Sequence, residues 1–245
     1  MIKRIGAVVI VDSGFVVNAC NFSKHLPVGR LKFTVKRLQQ LKVDEIIILN
    51  SSHSKSPETD FRDLYADLSS WHVATPIAYG GGIVSKSQAR TIIKDGADRI
   101  VVSAAVLVSG LELLEIGEIL GEQAIILHLP IVSSGENLKV LNFENIPMES
   151  LLAMIPNNWG GEVLLSIVEN DGAKFPNLEV IQDCLERLGE TTRVIISGGF
   201  NKSEDILIGL KARTVQAVAI GNFLHRTEVS IPFLKKSLCE EVQMR

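Results

Sequence analysis

Cysteine is scarce in this chain: Cys20, Cys184 and Cys239 are the three in 245 residues, and no two share the short spacing that disulfide frameworks or zinc sites require. They are expected to be reduced and buried, with no metal and no cofactor held through them. Long apolar runs are lacking as well. No stretch approaches the ~18 apolar residues that span a bilayer, so no membrane partner is expected. Nor is there an excess of charge of either sign, because 25 Lys and Arg stand against 28 Asp and Glu, a net charge of -3. The broad cationic field that nucleic acid would need is absent, and any anion site has to be local. Near the start, Lys3-Arg4, an apolar run and then Val17-Asn18-Ala19-Cys20 loosely imitate an export signal. Asp12 and Asn18 interrupt that run and leave its core too short, which points to a cytoplasmic protein.

What is present is a regular alternation. An apolar fraction of 46% with 22% charged residues is enough for a core that needs no staples. Short β-branched runs at residues 4–11, 45–50, 76–79, 99–102, 124–129, 162–167, 193–197 and 217–221 read as strands. Helical stretches lie between them, among them 29–41, 85–94, 111–120, 148–155, 178–188 and 202–211. Strands buried on both faces and separated by helices belong to parallel sheets, and eight such units with no polar linker predict a closed (β/α)8 TIM barrel over residues 1–245.

A weak internal repeat supports two similar half-barrels. Gly81-Gly82 and Gly198-Gly199 each precede a helix, and the step from Gly81 to Gly198 is 117 positions, as is that from Val101 to Val218. Head-to-tail halves would carry both glycine turns to the rim where strands end and helices begin, which is where barrel enzymes work. Bare glycine amides there can approach an anion closely. Two phosphate corners are therefore expected, one from Gly81, Gly82, Ser103 and Ala104, the other from Gly198, Gly199, Gly221 and Asn222, together suiting an extended phosphorylated small molecule. Tight turns alone would also account for these glycines.

At this point a resemblance appears. Lys3-Arg4-Ile5, Val16-Val17, Asn21-Phe22, Val43-Asp44-Glu45, Gly80-Gly81-Gly82-Ile83, Gly96-Ala97-Asp98-Arg99, Asn170-Asp171-Gly172 and Ser197-Gly198-Gly199 resemble the signature of the cyclase subunit of imidazole glycerol phosphate synthase. The likeness runs from Lys3 to about Leu238. It implies a subunit that receives ammonia from a glutaminase partner docked at the bottom of the barrel, in a heterodimer, and uses it at a phosphate-lined top. In that family two aspartates, at the ends of the first and fifth strands, act as general acid and base. Here those places hold Ile10 and Pro130, neither of which exchanges a proton. Asp12 would have to slip two residues along its strand to replace one of them, roughly 6.6 Å. His128 is a candidate substitute near the other, although a single histidine also serves as an ordinary core residue. Asn18 stands where the family has a lysine, and Asn50 where it has an aspartate.

The opposite end keeps its charges. Arg4, Glu45, Arg99 and Glu162 open the first, second, fourth and sixth strands and match the ring that gates ammonia entry in the family, while a purely stabilising ion layer would use the same residues. Asp98 matches the family's contact to its glutaminase. Asp171 and Lys174, in the loop after the sixth strand, match the substrate-covering loop, although Asn-Asp-Gly is a turn signal in its own right. His25 and Arg30 in the long first loop are further candidates for phosphate.

The resemblance thus implies a divergent synthase-type subunit that delivers ammonia to a reaction other than the usual cyclisation, such as amidination of a sugar in surface-polysaccharide synthesis with a separate sugar amidotransferase. Two other readings fit the sequence: the ordinary cyclase of histidine biosynthesis, a lyase, and a non-catalytic barrel that binds a phosphorylated ligand.

Overall fold

The computed structural model describes the chain apart from residues 1, 21, 23, 53–55, 70–72, 110–111, 135–136, 174, 223, 225–234, 236–237, 240–241 and 244–245. Eight parallel strands close on themselves: β1 (Arg4–Asp12), β4 (Ile46–Asn50), β5 (Ile77–Gly80), β6 (Arg99–Ser103), β7 (Ile125–Ser134), β9 (Glu162–Ile167), β10 (Val194–Ser197) and β11 (Val215–Ile220). The closing seam pairs Arg4 to Ala7 of β1 with Ala217 to Ile220 of β11. The fold is therefore the expected (β/α)8 barrel. Its repeat is visible too, since the 117-position offset carries Ile77–Gly80 onto Val194–Ser197.

Three further strands were not expected. β2 (Phe15–Cys20) and β3 (Lys24–Arg30) form an antiparallel extension after the first barrel strand, and β8 (Asn137–Val140) folds back on the end of β7 after the fifth. Each half-barrel thus begins with a strand that runs on into a hairpin above the rim. The first helix, α1 (Leu31–Gln40), accordingly starts later than its pattern suggested, and a helix at Pro57–Ser69, α2, fills a gap where none had been placed. Pro130 does not shift its strand: the β7–β9 register runs unbroken from Ile126↔Glu162 to Ile131↔Ile167.

Alternation in the strands sorts side chains into two cores. One set faces the barrel axis, where Ile47, Ala78, Val101, Ile126, Leu164, Ile195, Ala217 and Ala219 pack together with Val8 and Leu49. The other faces outward against the helices. In α7 (Leu178–Leu188) the buried positions Ile181, Cys184 and Leu188 recur at helical spacing, and in α3 (Lys86–Lys94) Ala89 and Ile92 do the same. Each fully buried aliphatic side chain contributes about 1.5–3 kcal/mol. Starts are set locally as well. Ser85 caps α3 in a capping box with Gln88, and Asn177 accepts a hydrogen bond from the Val180 amide at 3.2 Å to open α7. The expectation of three buried cysteines needs correction: Cys184 is buried in α7, but Cys20 and Cys239 are exposed. Cys20 ends β2, beyond the barrel proper, so neither layer covers it.

Candidate functional site

The axis of the barrel is built in tiers, set by the two-residue period of the strands. At the amino end, Arg4, Arg99 and Glu162 are the first residues of β1, β6 and β9, and Glu45 immediately precedes β4. Arg4 bridges Glu45 at 3.4 Å and also Glu162; Arg99 bridges Glu45 at 3.0 Å and Glu162 at 2.6 Å. Each arginine meets both carboxylates and each carboxylate both arginines, so the four ions close a ring. Their side chains retain 6–18% exposure, and in such a setting charges of one sign alone would carry a large desolvation cost.

Above the ring lies the apolar tier, and above that a polar one. His128 Nε2 is 3.0 Å from Ser166 Oγ, and Ser166 Oγ is 2.8 Å from Ser197 Oγ, a chain across β7, β9 and β10. Burial pushes the His128 imidazole down from 6.5 to about 4, so it is neutral at physiological pH.

The mouth has two lobes. One, about 420 Å³, is lined by Ser166, Asp171, Ser197, Gly198, Gly199, Lys202, Gly221 and Asn222 among others. Its counterpart, about 410 Å³, is lined by Asn50, Gly81, Gly82, Ser103, Ala104, His128, Pro130 and Asn142 among others. Ile10 and Phe22 line both. The two expected phosphate corners are thus brought to opposite sides of one opening. Glycine is demanded at these turns: a Cβ on Gly199, at φ +77°, would lie 2.5 Å from the Phe175 carbonyl oxygen, and one on Gly81 would lie 2.8 Å from that of Asn50.

Other expected residues are placed as follows. Asp171 Oδ2 accepts a hydrogen bond from the Phe22 amide at 3.1 Å, tying the loop after β9 to the first hairpin. Lys174 and the side chain of His25 lie outside the described residues. Asp12 does not enter the mouth. It pairs with Phe15 at the hairpin end of β1 and accepts from the Ser13 hydroxyl, so the slipped register that would bring it inward is not adopted. Arg30 is exposed and lines neither lobe. Asn50 lines the second lobe, donates to the Tyr79 hydroxyl at 3.3 Å and accepts from Ser52. Asn18 lines neither lobe, and its buried Oδ1 finds no partner among the described residues. Asp98 is exposed at the amino end, where its Oδ2 accepts from the Ile77 amide at 2.8 Å.

Sequence reasoning missed two features. Phe22, held at φ +53°, stands between the lobes with its ring centroid 6.3 Å from that of His128. The His128–Ser166–Ser197 chain went unseen as a unit, although the period-two series Glu162, Leu164, Ser166 on β9 carried a signal for its depth. Among the described residues no group of three His, Cys, Asp or Glu side chains is arranged to hold a metal, and no helix is long and apolar enough to cross a membrane.

The family model described as "Histidine biosynthesis protein" matches residues 4–230. Among individual proteins, the chain is 28% identical to one of Campylobacter jejuni provisionally named imidazole glycerol phosphate synthase subunit hisF2, over 89% of this chain and 86% of that protein. It is 27% identical to the imidazole glycerol phosphate synthase subunit HisF of Lachnoclostridium phytofermentans, over 99% and 96%. With the subunit of the same name from Thermococcus gammatolerans the identity is 25%, over 97% and 95%.

Proposed function

The chain belongs to the histidine biosynthesis protein family, and from that premise we propose that it works as the cyclase-type subunit of a glutamine amidotransferase whose acceptor differs from the usual cyclase substrate. The observation that carries this reading is the contrast along one axis. The closed Arg4, Glu45, Arg99, Glu162 ring stands at the amino end, while Ile10 and Pro130 occupy the mouth positions where the family resemblance expects two aspartates. The relatives' names support a subunit, because each is called a subunit of a synthase.

In this reading a glutaminase docks at the amino end, where Asp98 contributes a contact, and ammonia enters past the ion ring. A phosphorylated small molecule spans the two lobes through the glycine turns, with Asp171 and Lys174 on its covering loop. With a hydrocarbon and an imino ring at the two aspartate positions, the standard acid and base pair has no proton to exchange, so ammonia is handed to another electrophile. Amidination of a sugar for surface polysaccharide, with a separate sugar amidotransferase, fits that description. A second reading is favoured by the near full-length match to subunits named HisF: the ordinary cyclase of histidine biosynthesis.

One experiment separates them. The purified chain is given the family's cyclase substrate with ammonium in alkaline solution, alone and with a co-expressed glutaminase. The divergent reading expects no cyclase product but a complex whose glutaminase rate rises several-fold over the free partner and falls in Asp98→Asn, which keeps an acceptor for the Ile77 amide. Robust cyclase turnover would establish the ordinary cyclase instead. Phosphate binding with no glutaminase complex would leave a ligand-binding scaffold.

A further inference from the structure

The mouth is poor in groups that can carry charge. Among the described residues lining either lobe, the titratable side chains are His128, Asp171 and Lys202. Asp171 accepts the Phe22 amide, and the Lys202 ammonium sits 4.7 Å over the Phe175 ring. On the axis, the side chains of His128, Ser166 and Ser197 form one hydrogen-bonded chain. They stand directly above the apolar tier, since Ile126, Leu164 and Ile195 lie two residues earlier on the same three strands, about 6.6 Å below. The chain also joins the lobes, with His128 lining one and the two serines the other.

We propose that Ser166 and Ser197, oriented by His128, form a station that receives unprotonated ammonia at the top of the barrel interior. This rests on the ammonia-receiving function proposed above. Each serine hydroxyl offers one donor and two acceptor lone pairs. Once Ser166 and Ser197 have bonded to each other and to His128 Nε2, acceptor capacity remains on the serine oxygens in either imidazole tautomer. Ammonia can spend its N–H bonds on those oxygens and keep its lone pair directed at an acceptor in the lobes. Ammonium has no lone pair to offer. It would also have to shed its water in surroundings that already disfavour a cation, as the downward shift of His128 shows. His128 touches neither carbon nor leaving group here; it is a positioning residue acting through Ser166.

The test is 15N NMR of the full chain labelled at its histidine rings, titrated with ammonium chloride in alkaline solution, where the solute is ammonia, and in mildly acidic solution, where it is ammonium. A saturable shift of the His128 Nε2 resonance is expected in alkaline solution only. It should be lost in Ser166→Ala and retained in Ser166→Thr, which keeps the hydroxyl and guards against a mere folding defect. An equal response to ammonium, no response, or a response indifferent to Ser166→Ala would overturn the station. Because the experiment needs neither a glutaminase nor the final acceptor, failure of the glutaminase complex would strike the proposed function and leave this result standing on its own.

Discussion

At the amino end of the barrel, four side chains of alternating sign satisfy one another in a closed ring; at the carboxyl end, two lobes are lined mostly by glycine, serine, asparagine and hydrocarbon, with His128, Asp171 and Lys202 as the titratable groups among the described residues. The difference lies in how each end tolerates change. In the ring every ion depends on two others, so a single replacement strands buried charge. In the mouth, backbone turns and small side chains make the shape, and most lining positions carry no ion whose partner a replacement would strand. The β1–β4 and β7–β9 registers run straight through Ile10 and Pro130. Barrel enzymes separate stability from chemistry in this way, because the rim loops and strand ends carry function while the other end is packed for support.

Breaking the ring should give the largest effect. Glu162→Ala leaves Arg4 and Arg99 sharing Glu45, and a loss of about 3–5 kcal/mol is expected in urea denaturation. A loss below about 1 kcal/mol would place these pairs among ordinary surface bridges and erase the contrast between the ends.

Acid should probe the mouth. Because His128 is depressed to about 4 when folded, the unfolded chain binds its proton first as pH falls below about 6.5. Stability is therefore complete at neutral pH and declines between about 6.5 and 4, by on the order of 3 kcal/mol from this group. Comparing urea midpoints of the parent chain and His128→Gln across that window should show a difference that shrinks as pH drops.

A smaller effect is expected at the rim. Gly199→Ala combines a left-handed backbone with a Cβ pressed on the Phe175 carbonyl, and about 2 kcal/mol should be lost. Inorganic phosphate binding should weaken in the same variant, read by calorimetry; unchanged binding would separate the glycine turn from anion recognition. Least of all, Ser85→Ala removes one half of a capping box and should cost about 1 kcal/mol in thermal unfolding with no change at either end of the barrel.

Much of this was legible in the residues. The eight strands, the 117-position repeat, the glycine corners and the ions at strand starts follow from local periodicity, which the backbone geometry of strands and helices enforces wherever the chain lies. The hairpins were harder to see. β2 has exposed ends at Phe15 and Cys20, β3 is exposed at Leu26, Pro27, Val28 and Arg30, and β8 buries only alternate residues, so their apolar signal is weaker than that of strands buried on both sides. Asp171 was legible from its motif as a residue of the mouth, but not the hydrogen bond its carboxylate accepts from the amide of Phe22, 149 positions away.

The sequence by itself determined that this chain makes parallel βα units with small residues at two related turns and a hydrocarbon and a proline at two strand ends. Tertiary structure decided which of its polar groups meet: Arg4 with Glu162 across the barrel floor, His128 with Ser166 and Ser197 on three strands, Phe22 between the lobes. The reason is physical. A strand's period tells each side chain which face to take, but only closure of the sheet, with its register between β1 and β11, sets which distant neighbours share a tier.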